Sequence, residues 1–230
     1  MKKLSISRVS YLFLMTFFVL LIGGILYIAQ TLQPAPQQAP LTNTQPENPA
    51  NPLATYQNNQ YHFLFQYPSD FDFYETQKNK SAISASSYIP ACDPDTSIAC
   101  ALYSQAKHYP HTNFDSAGMS VNLIKDAENE MACFSFTDRG YVNQQVTTKV
   151  LNGETFMYAE LGDAGAGHFA SDHAYRIFKN STCLEINLRV ASTNFANYDP
   201  GLGVKEFTKA DEALVWQKLE SVLGTFKLTE

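Results

Sequence analysis

The chain has 230 residues, 45% hydrophobic and 17% charged, with a formal net charge of −6. No acid precedes Glu47, and Lys2, Lys3 and Arg8 are the only bases before Lys78. The remainder therefore carries 13 bases (16 less these three) against 22 acids, a net charge of −9. That balance argues against a nucleic-acid partner, which requires a basic surface for counterion release, and against adhesion to anionic lipid headgroups.

Residues Tyr11 to Ala29 form a run of 19 residues without a charge. A helix of that length spans most of a ~30 Å hydrocarbon core. With Lys2, Lys3 and Arg8 on its N-terminal side, the positive-inside rule places residues 1–10 in the cytosol and the rest outside, a single-pass anchor in the cell membrane. The alternative is a cleaved signal peptide. Against it, the apolar run is long and Tyr27-Ile28-Ala29 lacks a small-x-small site. Residues 30–55 hold six of the 11 prolines among Gln, Asn and Ala, the composition of an extended spacer. This leaves residues 56–230 as one extracytoplasmic domain, periplasmic or extracellular.

Period-two alternation dominates the domain. Tyr61, Phe63, Phe65 and Tyr67 predict one strand, and Met119, Val121 and Leu123 another. Val146 to Val150 and Thr155 to Ala159 flank Asn152-Gly153, a two-residue hairpin signal. Ala174 to Phe178 and Leu184 to Val190 flank a turn at Lys179-Asn180-Ser181. Consecutive hairpins predict a mostly antiparallel sheet. A short helix is expected within Glu128 to Phe136. The closing helix starts at the Thr208 cap, with Asp211 and Glu212 in its first turn. Val215, Leu219, Val222 and Phe226 make an apolar stripe for the sheet, with Trp216 at its edge. Gly224 ends this helix and Phe226-Lys227-Leu228 returns as a short strand. The expected class is α+β, a mostly antiparallel sheet covered by helices.

The aromatic strand ending in Tyr67-Pro68-Ser69-Asp70, the meander, and the closing helix running into Leu223-Gly224-Thr225-Phe226-Lys227-Leu228 resemble the PsbP-like α/β/α sandwich family. The family includes extrinsic photosystem proteins and many anchored bacterial proteins. The resemblance implies a fold and an accessory or binding habit, with no catalytic set to carry over.

Cys92, Cys100, Cys133 and Cys183 all follow the anchor, and an even set in an oxidising compartment reads as disulfides. Three pairings are formally open. Loop proximity favours Cys92–Cys100, which leaves Cys133–Cys183. Zinc is the rival, but the spacings are not those of a knuckle. Cys183 shares the polar face of its strand with Glu185, Asn187 and Arg189, which suits a link to a covering element.

The most site-like stretch is 161–173, with three glycines, two aspartates and two histidines between Gly162 and His173. Asp163, His168, Asp172 and His173 are types that ligate metals or exchange protons. The competing structural reading is a wide loop whose Gly, Asp and His residues make turns and caps. It is not a phosphate loop, because no Lys-Ser/Thr follows the glycines. There is no Gly-x-Ser-x-Gly, and the cysteines are accounted for as pairs. His108-Tyr109-Pro110-His111 and the acidic run Asp126 to Glu130 read as solvated segments. Asn79-Lys80-Ser81 and Asn180-Ser181-Thr182 match the glycosylation sequon, relevant only in a eukaryotic secretory setting.

The sequence therefore points to a non-enzymatic, membrane-tethered domain without a cofactor, with an envelope protein as its expected partner. The rival is a metal-binding protein or metal-dependent enzyme centred on residues 162–173.

Overall fold

The computed structural model describes residues 52–75, 91–93, 95–137 and 145–229. The expected cytosolic stretch over 1–10, the expected anchor over 11–29, most of the expected spacer and the sequon at Asn79 lie outside the described residues. Among the described residues no helix is long and apolar enough to cross a membrane.

Two antiparallel sheets build the domain. The larger has seven strands, β3 (Asp72–Glu75), β4 (Ser97–Ser104), β5 (Phe114–Leu123), β6 (Thr147–Leu151), β7 (Glu154–Gly165), β8 (His168–Lys179) and β9 (Thr182–Thr193), in the order β3-β4-β5-β9-β8-β7-β6. The smaller comprises β1 (Leu53–Asn58), β2 (Phe63–Pro68) and β10 (Lys227–Leu228), in the order β1-β2-β10. Two one-turn helices, α1 (Gln105–His108) and α2 (Glu130–Cys133), precede the long α3 (Lys209–Leu223).

Three hairpins of the large sheet turn on two residues. Asn152-Gly153, Ala166-Gly167 and Asn180-Ser181 all have positive φ at both positions, matching the right-handed twist of the strands they join. The first is the predicted turn. The third is one residue tighter than the sequence suggests, since Lys179 pairs with Thr182. The second replaces the wide loop expected over 161–173: β7 and β8 pair from Met157↔Arg176 out to Gly165↔His168.

One face of the large sheet is apolar. Met119, Val121, Ile186 and Leu188 meet Val215, Leu219 and Val222 of α3, with Phe63, Phe65 and Phe226 filling the space beneath the small sheet. α3 packs on β2, β5 and β9. Thr208 and Asp211 form a reciprocal capping box, and Gly224 closes the helix before β10 pairs with β2, as expected. The expectation of a sheet covered by helices is corrected in part. A second sheet shares the cover, because the aromatic strand pairs with β1 and β10 rather than joining the meander. β1 also starts at Leu53 and so takes in the last three residues of the expected spacer; its pairing with β2 satisfies backbone groups there.

The other face is polar and equally buried. Arg176 and Glu185, both 0% exposed, pair through Nη2 and Oε2 at 2.7 Å. Asn122 Nδ2 donates to Glu185 Oε1 at 3.2 Å, and Ser97 Oγ donates to Asn122 Oδ1 at 2.7 Å. Arg176 also donates from Nη1 to the Cys133 carbonyl at 3.1 Å and lies over the Phe136 ring. Disulfides Cys133–Cys183 and Cys92–Cys100, with Cα separations of 5.6 and 6.0 Å, hold covering segments against this face. Both pairings agree with the sequence reading. Gly118 of β5 permits the Ala91–Cys92 approach: a Cβ there would lie 2.9 Å from the Ala101 carbonyl oxygen and 3.1 Å from the Ala91 Cβ.

Candidate functional site

The β7–β8 hairpin carries all four residues singled out at 161–173, and the strand period separates them. Asp163, opposite Ala170, shares a sheet face with Asp172 and His168, whereas His173 belongs to the other face. Asp172 is buried and fully engaged. Its Oδ1 accepts from Arg189 Nε at 2.7 Å and Asn187 Nδ2 at 2.8 Å, and its Oδ2 accepts from Arg189 Nη2 at 2.8 Å. A bidentate guanidinium pair of this kind is a structural fastening across β8 and β9. His168 faces Gly165 and Thr193 next to the turn, and Asp163 is exposed near the tip. The four side chains do not converge on one centre, and no group of three or more His, Cys, Asp or Glu among the described residues is arranged to hold a metal ion.

His173 has a different neighbour from any the sequence suggested. Its ring stacks on Trp216 of α3, with centroids 4.1 Å apart and planes 20° from parallel. Tyr158 approaches it edge-on at 5.8 Å, and Glu160 stands directly across on β7. Burial pushes the His173 pKa below its ordinary value, and the nearby carboxylates of Glu160, Glu220 and Asp172 partly oppose that shift. Tyr158 donates to Glu160 Oε1 at 2.7 Å; burial and this bond raise its pKa. Tyr175 is pushed up to about 12, by burial first and then by Glu220 and Glu160. Trp216, Tyr158, Glu160 and Glu220 were legible only as parts of strands and a helix.

Beside this cluster lies an open concavity. Gly162, Ala164, Ser171, Val190 and Ser192 floor an open groove of about 510 Å³, bounded by Phe169 and by Lys209 and Glu212 of α3. Small side chains on neighbouring strands create the depression. Phe169, 46% exposed, stands at its rim without a core to enter.

No protein-family profile matches the chain, and no curated protein matches it. Several solved structures are similar. Cyanobacterial PsbP (CyanoP) from Synechocystis sp. PCC 6803 is 10% identical over 83% of this chain and 99% of that one, with a TM-score of 0.37. The Ran-binding protein Mog1p of Saccharomyces cerevisiae is 12% identical over 79% and 97%, with a TM-score of 0.42. LpqN of Mycobacterium tuberculosis, described as involved in cell envelope biogenesis, is 7% identical over 78% and 86%, also at 0.42. PsbP thus stands among the similar structures, as the Tyr67-Pro68-Ser69-Asp70 resemblance implies. These likenesses assign no residue and no activity to this chain.

Proposed function

We propose that the chain is a membrane-tethered accessory protein whose extracytoplasmic domain holds an envelope protein partner in the groove between the β7–β8 hairpin and the start of α3. The groove carries this reading. A floor of Gly, Ala and Ser lets a partner's backbone approach closely, and Phe169 offers an exposed aromatic anchor next to it. The dispersal of Asp163, His168, Asp172 and His173 over two faces supports binding rather than catalysis as the use of this hairpin. The anchor pattern and the two disulfides support an oxidising compartment outside the membrane.

Affinity capture of the full-length chain from native envelopes tests the reading. The wild type is expected to retain a partner that Ser171→Arg, which fills the groove from an exposed position, loses without unfolding. Capture that is indifferent to Ser171→Arg and Phe169→Ala refutes it. Protease added to intact spheroplasts should digest the domain, and N-terminal sequencing of the mature protein that begins near residue 30 would contradict the anchor.

A further inference from the structure

The groove continues past Ser171. β8 sets Phe169, Ser171, His173 and Tyr175 on one face, and β7 sets Ala164, Gly162, Glu160 and Tyr158 opposite them. α3 borders this strip with Glu212, Trp216 and Glu220, spaced by four residues along one side of the helix. Aromatic rings occupy the middle of the strip and three carboxylates, Glu160, Glu212 and Glu220, line it. Two ammonium groups oppose them. Lys209 pairs with Glu212 at 2.6 Å, and Lys149 Nζ lies 4.9 Å from the Tyr158 ring centroid. The Lys149 contact shows that an aromatic face of the strip accepts an ammonium group. Glu160, across from His173, and Glu220, one turn beyond Trp216, are both exposed.

We infer that this strip docks an extended basic segment of the partner polypeptide, with a Lys or Arg side chain against Trp216 between Glu160 and Glu220 and an apolar side chain on Phe169. The inference rests on the binding reading above and names the chemistry of its partner. Charge complementarity selects the occupant: the residues after the anchor carry a net charge of −9, which attracts a cationic segment and repels a nucleic acid or an anionic membrane. Phe169 and His173 are four residues apart on one strand, about 13 Å at the rise of an extended chain. A partner running along β8 therefore presents its apolar and basic residues with the same spacing.

Trp216 is the one tryptophan of the chain, so its fluorescence reports occupancy of the strip. The full-length chain in nonionic detergent is titrated at neutral pH with the capped peptide Phe-Ser-Thr-Ser-Lys, and with versions carrying norleucine or Glu in place of Lys. The Lys peptide is expected to give a saturable change, weakened about tenfold by either replacement and about tenfold by Glu160→Gln with Glu220→Gln. No saturable change with the Lys peptide, or equal affinity for all three peptides, overturns the inference. Should the double variant unfold, the peptide series on the wild type decides alone. A partner captured in a Ser171-dependent manner while the Lys peptide fails would keep the binding reading and reject the basic occupant. Loss of both would reject both.

Discussion

Trp216 lies nearly flat on His173, with ring centroids 4.1 Å apart, and this contact joins α3 to β8 at the border of the apolar core. His173 is partly buried in this setting. A histidine that reads in the sequence as a candidate ligand beside Asp172 is instead an aromatic packing partner with carboxylates around it.

The stack makes acid sensitivity measurable. Burial holds the His173 pKa below 6.5, so as pH falls through 6.5 the unfolded chain takes up the proton before the folded one does. The stabilising contribution of the neutral ring is therefore full above 6.5 and is lost as pH falls from 6.5 toward the depressed folded value. Protonated imidazole quenches a stacked indole. Trp216 emission is expected to fall on acidification with a midpoint below 6.5, and His173→Gln should abolish that step. A midpoint at or above 6.5 would show that the carboxylates of Glu160, Glu220 and Asp172 outweigh burial.

The Arg176–Glu185 pair is dry, with both side chains 0% exposed. Removing one partner strands a buried charge, so Glu185→Ala should cost about 3–5 kcal/mol in urea unfolding. Replacing both, as Arg176→Met with Glu185→Leu, should cost less than the single change, because no uncompensated charge remains. A double variant less stable than Glu185→Ala would assign the pair a net stabilising role instead.

The two disulfides should differ in weight. They close sequence separations of 50 and 8 residues, for which the chain-entropy model gives about 4 and about 2.5 kcal/mol. Cys133 also contributes the carbonyl that accepts from Arg176 Nη1. Paired Cys→Ser changes at 133 and 183 should accordingly lower the thermal midpoint more than the same changes at 92 and 100. The reverse order would place the greater constraint at the Cys92–Cys100 link.

What the sequence reveals of this fold depends on how local each signal is. Asn152-Gly153 and Asn180-Ser181 announce their hairpins because Asn, Gly and Ser are ordinary turn residues. Ala166, at φ +50°, is not, and that is why a tight turn read as a wide loop. β4 was missed because both of its faces are buried: Ile98 to Tyr103 is a continuous apolar run without alternation. β1 was hidden behind Pro52 and a polar composition suited to an edge strand. The polar face of β9 was legible from Cys183, Glu185, Asn187 and Arg189, although its partners on β8 and β5 were not. The candidate site was the least legible part, since the strip joins β7, β8 and α3, and only the folded sheet sets Glu160 against His173 and Trp216.

The start of α3 offers a local test. Thr208 Oγ1 accepts from the Asp211 amide at 3.2 Å, and Asp211 Oδ2 accepts from the Thr208 amide at 2.9 Å. Thr208→Ala should cost about 1 kcal/mol. The hydrogen bonds from Thr208, side chain first and then backbone, hold the Asp211 pKa below its ordinary value. Its contribution is present above the unfolded value of 3.8 and is lost as pH falls through the depressed folded value. Differential scanning calorimetry should find the Thr208→Ala deficit at neutral pH and a smaller one in strong acid. A deficit that does not shrink there would separate the cap from the Asp211 carboxylate.

The most direct measurement for partner binding in the β7–β8 groove is site-specific photo-crosslinking in native membranes. A benzophenone amino acid replaces Lys209 at the groove rim or, as a control, Lys125, which is exposed elsewhere in the chain. Binding in the groove requires a discrete adduct from position 209 that Phe169→Ala diminishes, with none from position 125. Matching adducts from both positions, or none from position 209 while the partner is still captured, would contradict it.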